Sequence, residues 1–290
     1  MENKFLAGIN KKCYKILPTI ILVCLMIPII YPLFWMLISS FRPGAQIASY
    51  PLAIDIGSWS MKNYEALFSI IPIGRAFKNT FIVLLIKGGL AMFFSPLAGF
   101  TFAKLKFPGK KVLFTIVLIS VMLPPIVLMI PLLIEMGSLR LLNTYSALIL
   151  PGAIGGFYIF WMRQQIAGIP DDLLDAARID GLGEFGIYIR IIIPLIKSGL
   201  GALAIIVGLD IYNDFVWPVI AISSNEMQTV QIMMSSLYDQ INNIQVGTAG
   251  ASAWGIAMAA SIVVTLPILL LFIFSQRHFK AGILAGSLKS

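Results

Sequence analysis

Six stretches of this chain are each apolar for about 20 residues, the length of α-helix that crosses a bilayer core at a rise of 1.5 Å per residue. They run roughly over Ile16–Phe41, Asn79–Ala103, Val112–Ile134, Tyr145–Met162, Leu200–Ala221 and Ala253–Ser275. No water-soluble fold of 290 residues could hide that much apolar surface. Composition agrees: 59% of residues are hydrophobic, 12% are charged, and the mean hydropathy is +0.92. These values exclude a disordered chain, a nucleic-acid-binding tail protein and an ordinary soluble enzyme. The chain therefore reads as an all-α, polytopic membrane protein with six transmembrane helices. The first stretch is too long for the apolar part of a signal peptide and has no small-residue cleavage site. Ile21-Leu22-Val23 before Cys24 fits a lipobox badly, which leaves Cys24 as a packing residue.

The net charge of +8 is explained by position. With both termini in the cytoplasm, fifteen of the 21 basic residues fall on inner segments. These are Lys4 to Lys15, Lys104 to Lys111, Arg163 to Lys197, and Arg277 to Lys289. Five fall outside (Arg42, Lys62, Arg75, Lys78, Arg140), and Lys87 lies within a span. Positive charge marks the cytoplasmic side, so this orientation is preferred over its reverse. The chain divides into a cytoplasmic N-terminal segment (1–15), a first span (16–41), an extracytoplasmic loop (42–78), a core of five spans (79–276) and a cytoplasmic tail (277–290). The outer loop is polar and aromatic, with Trp59, Asn63 and Tyr64. Cys13 and Cys24 sit in different environments, so no disulfide is expected. With His278 as the only histidine, neither a zinc site nor a His-dependent triad is expected.

The inner segment 164–197 is unlike the other loops. Asp171 and Asp172 after Pro170 suit a helix start, Leu173, Leu174, Ala176 and Ala177 favour helix, and Gly181 suits a stop. The spacing predicts a helix of about two turns outside the membrane. An amphipathic helix lying on lipid would be rich in Lys and Arg with large apolar anchors. This one is acidic and small, which favours a protein surface as its partner.

Asp175-Ala176-Ala177, then Gly181, Ile191, Ile193 and Pro194 resemble the EAA loop of ABC importer permeases: Glu-Ala-Ala, three residues, Gly, nine residues, Ile, one residue, Leu-Pro. The spacing matches throughout; Asp175 stands for Glu and Ile193 for Leu. The run Ala177-Arg178-Ile179-Asp180-Gly181 is similar to the carbohydrate, maltose-type branch. So are Leu97 to Lys104 with Phe107-Pro108-Gly109-Lys110, the stretch Tyr212-Asn213-Asp214-Phe215-Val216-Trp217-Pro218, and the ending Gly286-Ser287-Leu288-Lys289-Ser290. Tyr212 stands where that branch usually has Trp.

The resemblance implies a type I ABC importer permease fold in a bacterial cytoplasmic membrane, with no catalysis by the chain itself. It implies that Asp175, Ala176, Ala177, Arg178, Asp180, Gly181 and Pro194 belong to a coupling helix and loop that dock on a separate ATP-binding subunit. ATP and Mg would sit on that subunit, present in two copies. It further implies a second, homologous permease as heterodimer partner and an extracytoplasmic solute-binding protein. Gly286 and Lys289 become candidates for a C-terminal contact with the ATPase. No G-x-x-x-x-G-K-[ST] run occurs, and no cofactor, metal or nucleic acid is expected on this chain. Within the fifth span, Tyr212, Asn213, Asp214 and Trp217 offer hydroxyl-binding groups and aromatic faces. They either line the passage or hold helices together. Lys87 either pairs with an acidic group of the partner permease or snorkels. Pro28, Pro32, Pro96, Pro124, Pro125 and Pro267 punctuate the spans as potential kinks. A permease for peptides or polyamines is the alternative within the class. An ion-coupled carrier would show inverted repeats, and a membrane-embedded enzyme would show paired carboxylates, metal ligands or an activated nucleophile. None of these is visible.

Overall fold

A computed structural model describes the backbone of residues 2–43, 46–47, 56–243 and 253–287, and the side chains of 18–43, 46–47, 57–238 and 253–273. The side chains of Cys13 and of the basic residues in the N-terminal segment, and Lys289, lie outside what is described. Every regular element among those described is helical. In chain order they are α1 (Glu2–Phe41), a 3-10 turn (Ile56–Ser58), α2 (Lys62–Ile70), α3 (Ile73–Lys104), α4 (Lys110–Met122), α5 (Pro125–Ser138) and α6 (Tyr145–Ile149). Then follow α7 (Gly156–Ala167), α8 (Asp171–Ile179), α9 (Glu184–Leu195), α10 (Lys197–Tyr212), α11 (Val216–Ala221), α12 (Val230–Asn243) and α13 (Ala253–Ser287). The chain forms two compact units, Met1–Ile71 with Leu237–Thr265, and Pro72–Ser236 with Leu266–Ser290.

The six apolar stretches become three unbroken helices and three broken ones. α1, α3 and α13 contain continuous segments long and apolar enough to span a membrane, namely Pro18–Phe41, Ile73–Lys104 and Ala253–Ile273. Pro28, Pro32, Pro96 and Pro267 lie inside these helices without ending them. A single proline removes one donor, and in lipid the alternatives to helix are worse. The third stretch breaks at Leu123-Pro124, where α4 and α5 meet at 105°. Each residue before a proline is forced out of the α region, and two consecutive prolines force two: Leu123 has ψ 125° and Pro124 ψ 129°.

The fourth stretch, expected as a continuous span over Tyr145–Met162, is instead α6 and α7 separated by residues 150–155. Gly152 there has φ +69°, a conformation no right-handed helix contains. The fifth stretch is interrupted at Asn213–Phe215 between α10 and α11. A further bend of 80° separates α9 from α10. Pro194 lies just before it and has no N–H to give to Arg190. A π-helical turn over Tyr188–Ile192 precedes it. By length and composition, the described helices supply three spans, or five if each bent pair is one span.

In the first unit, α2 caps the end of α1. The buried Asn63 carboxamide donates to the carbonyls of Ser40 and Arg42, both at 2.9 Å. The Phe41 ring stacks on Trp59, with centroids 5.5 Å apart, and Ser40 Oγ meets the Tyr64 hydroxyl at 2.8 Å. The outer-loop residues Trp59, Asn63 and Tyr64 thus close a helix terminus whose last carbonyls have no partner of their own.

In the second unit, α3 is the central helix. α7 crosses it at Gly99, where a Cβ would lie 2.8 Å from Met162 Cβ and 2.9 Å from the Arg163 backbone nitrogen. Only a missing side chain allows that approach, the usual device of helix contacts in lipid. Met162, Ile166, Leu174, Ile187, Ile192 and Leu203 surround the crossing and are buried. Near the other end of α3, Asn79 Nδ2 donates to the carbonyls of Glu226 (2.8 Å) and Gln228 (2.9 Å). Its Oδ1 accepts from the Tyr145 hydroxyl at 2.6 Å, and Thr80 Oγ1 accepts from Val230 N at 2.9 Å.

The α3–α7 crossing sets a sharp contrast between two glycines of one helix. Gly99→Ala should destabilise by about 1–3 kcal/mol through overpacking. Gly89→Ala, where a Cβ meets nothing within 4 Å, should be neutral or gain up to about 1 kcal/mol of helix propensity. Thermal unfolding of the two purified variants in detergent checks this. Equal behaviour would mean that the crossing tolerates a methyl group.

Candidate functional site

Two groups of residues carry the functional expectations. The first is the helix α8, which starts at Asp171 with Pro170 just before it and ends at Ile179. Asp171 and Asp172 occupy its positive end and Arg178 its last turn, both favourable to the helix dipole. Its end is a Schellman motif: Leu182 N donates to Ala177 O and Gly181 N to Arg178 O, each at 3.0 Å, with Gly181 at φ +82°. Gly181 is therefore required by conformation, since a Cβ there would meet nothing within 4 Å. The inner face of α8 buries Leu174 and Ala177 in the core beside Phe100, Ile187 and Tyr188. Lys104, at the end of α3, ties down its start by an ion pair to Asp171 at 2.7 Å and a hydrogen bond to Ile169 O.

The outer face is open. Asp175, Ala176, Arg178, Asp180, Gly181 and Pro194 are exposed, and only Ala177 of the expected coupling residues is buried. Arg178 bridges Asp175 (2.6 Å) and Glu184 (2.9 Å), which clips α8 to α9. Glu184, then Asp175, hold the guanidinium pKa above its ordinary value. Beside these charges stand bare apolar side chains: Ile179 is 86% exposed, Phe185 62% and Leu173 48%. Leu173, Ala176 and Ile179 repeat every three residues and share one face. Sequence reading had not singled out Lys104, Glu184, Ile179 or Phe185 for this site. The high exposure of Ile179 has no sequence signature, because a buried isoleucine would look the same.

The second group lies at the break between α10 and α11. Its four expected residues separate in role. Tyr212 is buried and lines an apolar cavity of about 50 Å³ with Phe81, Leu84, Pro267 and Leu271. Trp217 is buried and donates from Nε1 to Ala147 O at 2.8 Å, pinning α11 to α6. Asp214 is half-buried and stands two residues before the first turn of α11. Asn213 is exposed. Tyr158 of α7 joins the group by donating to Asp210 Oδ2 at 2.9 Å. Among the described residues no cluster of three or more His, Cys, Asp or Glu could hold a metal ion. Gly286 falls at the end of α13, and its candidate partner Lys289 is outside the described residues.

The Lys104 bond holds the Asp171 carboxyl below its ordinary value of 3.8. A depressed carboxylate stabilises the fold above its unfolded value and loses that effect as pH falls through the folded one. The parent should therefore melt higher than Asp171→Asn at pH 7, with the gap closing only below pH 3.8. The gap should also shrink in salt, because Asp171 is solvent-exposed. Melting curves of both proteins across pH and ionic strength test this; a gap that is absent at pH 7 would remove the anchoring role.

The sequence and the helical arrangement are similar to those of known proteins. Residues 95–284 fit the model of the binding-protein-dependent transport system inner membrane component family. The arabinooligosaccharides transport system permease protein AraQ of Halalkalibacterium halodurans is 35% identical over 263 residues, covering 90% of this chain and 91% of that protein. Its Bacillus subtilis counterpart is 34% identical, covering 95% and 96%. The lactose transport system permease protein LacG of Rhizobium radiobacter is 33% identical, covering 90% and 91%. In fold, the chain is similar to the crystal structure of a bacterial ABC transporter involved in the import of the acidic polysaccharide alginate. That match has a TM-score of 0.81 at 18% identity and covers 93% of this chain and 98% of that one. The family match takes in α8, the three broken stretches and most of α13, and the chain belongs to the binding-protein-dependent transport system inner membrane components, the permeases of ABC importers.

Proposed function

We propose that this chain is one permease subunit of an ATP-driven, binding-protein-dependent importer of carbohydrate, resident in a bacterial cytoplasmic membrane with both termini inside. The observation that carries the reading is α8. It is a short acidic helix, capped at its C-terminal end, buried on one face and bare on the other, at the foot of the longest core helix. Its outward Ala176 and Gly181 let a second surface approach the backbone, while Leu173, Ile179 and Phe185 supply apolar area for that surface to cover.

That surface belongs to an ATP-binding subunit, present in two copies and carrying ATP and Mg. Closure of the ATPase pair pushes on α8. The push reaches the membrane helices through Leu174, Ala177 and the Lys104 anchor. A second, homologous permease completes the passage, and an extracytoplasmic solute-binding protein delivers the solute. The AraQ and LacG relatives support a carbohydrate as that solute. Within the break of the fifth stretch, Asn213 and Asp214 carry the hydroxyl-binding groups, and Asn213 is the more accessible of the two. Tyr212 and Trp217 shape the passage from behind. The tail around Gly286 and Lys289 is a secondary contact with the ATPase.

The test is copurification of the tagged chain from mild detergent, followed by uptake into proteoliposomes with an arabinotriose, lactose and a tripeptide as probes. The parent should bring down a homologous permease and an ATP-binding subunit and should take up a sugar. Gly181→Val, which strains the cap, and Asp175→Lys, which repels Arg178, should each reduce ATPase copurification by about tenfold, equivalent to about 1.4 kcal/mol of docking. Normal copurification and uptake in both variants would overturn the docking role. Uptake of the tripeptide alone would replace sugar by peptide. Asn213→Ala should leave assembly intact and lower sugar uptake; unchanged uptake would move the passage elsewhere.

A further inference from the structure

Lys87 has no part in ATPase docking, yet among the described residues it is the one cation buried in the middle of a core helix. It is 9% exposed and lies about 21 Å from the start of α3 and about 26 Å from its end, at 1.5 Å per residue. From the start of its apolar stretch at Asn79 it is eight residues, or about 12 Å of helix, away, farther than its four-carbon stem reaches. The side chain turns into the second unit instead. A Cβ on Gly152, in the break between α6 and α7, would lie 3.9 Å from its Nζ. Lys87 also lines a cavity of about 10 Å³ together with Asp214, in the break between α10 and α11, and Thr229, just before α12. The ammonium thus lies at the junction of three interrupted segments.

The chemistry around the cavity is incomplete in a specific way. The Thr229 hydroxyl is buried and has no hydrogen-bond partner. Among the described residues no carboxylate comes within 4 Å of Lys87. Asp214 and then Asp210 are the anions that act on the ammonium through space. Asp210 already accepts from the Tyr158 hydroxyl, whereas Asp214 faces the cavity. A space of this size holds about one water molecule, and the polar groups lining it are the two to four partners such a water needs.

We propose that Lys87 is a positioning residue for the fifth-stretch break. Through one water held by the Thr229 hydroxyl, its ammonium neutralises the Asp214 carboxylate and keeps it in place at the entry to α11. The intramembrane charge is then a pair within this chain, and it needs no acidic group from a second permease. The arrangement concerns the membrane core and stands whether or not α8 docks on an ATPase.

The experiment uses the full transporter complex, comparing purified yield and melting temperature among charge variants. Lys87→Met keeps the length of the side chain and removes its charge, leaving Asp214 alone in the membrane. Yield should fall by about tenfold, as for other orphaned buried charges. Lys87→Arg keeps the charge in a bulkier group and should retain more complex than Lys87→Met, an order opposite to that of a purely packing role. Adding Asp214→Asn to Lys87→Met removes the orphan charge but keeps a polar side chain of the same size. It should bring yield back to within about twofold of the parent, the coupling expected of two residues in one polar network. The pairing is overturned if Lys87→Met matches the parent, if Met outperforms Arg, or if Asp214→Asn gives no recovery. Recovery by Asp210→Asn in place of Asp214→Asn would equally overturn it.

Discussion

Lipid gives a broken helix no water to complete its hydrogen bonds, and this constraint organises the second unit. Three of its apolar stretches are interrupted inside the fold, and each interruption leaves backbone groups in need of partners. One unbroken helix supplies many of them. Along α3, Asn79 serves the carbonyls of Glu226 and Gln228, Thr80 accepts the N–H of Val230, and Lys104 holds Ile169 O. Lys87 lies between these positions, against the breaks at Gly152 and Asp214. Gly99, with no side chain, lets α7 lie directly on the same helix. α3 is therefore at once the packing axis and the polar supply of the unit. Its irregular neighbours exist because it is regular.

The helix α8 solves a different problem. A two-turn helix is unstable alone, because nucleation costs more than so few bonds return. α8 is held from both ends and from below. Lys104 anchors its start, the Gly181 turn satisfies its last carbonyls, and Leu174 with Ala177 sit in the core. Arg178 then ties it to α9 through Asp175 and Glu184. Those ion pairs are exposed and individually weak, so burial of Leu174 and Ala177 carries most of the load. The reward for this internal completeness is an outer face that needs nothing from itself and is free for another molecule.

Much of this was legible in the residues. The acidic helix with its glycine stop points where the structure leads, and so do the apolar lengths of α1, α3 and α13. The helix boundaries around Asp171 and Ile179 follow from proline, charge and glycine, which act locally. What escaped is the interruption of the fourth and fifth stretches. Pro151-Gly152 and Asn213-Asp214 are visible as weak points, but Pro96 and Pro267 look equally disruptive and are carried inside intact helices. Whether a weak point breaks depends on whether a distant residue waits to satisfy the exposed groups. For that reason, too, the aromatic and acidic residues of 212–217 read as one group in sequence and separate in space. Trp217 finds Ala147 O, seventy positions earlier, and no local pattern announces it. Lys87 was legible only as an anomaly, and its direction required the cavity beside it.

The bonds from Asn79 and Thr80 to the segment 226–230 span 147 to 150 positions of chain. Closing so long a loop is entropically slow, and contacts of this separation form late in folding. Synthesis runs from the N-terminus, so α3 enters the membrane well before its partners exist. Asn79 and Thr80 must spend that interval with polar groups unmatched in or near the bilayer. The Tyr145 hydroxyl, only 66 positions away, reaches Asn79 first. It can shelter half of the carboxamide until the rest of the chain arrives. Assembly of this unit thus has a built-in order, in which an early helix holds open a place for a segment not yet made.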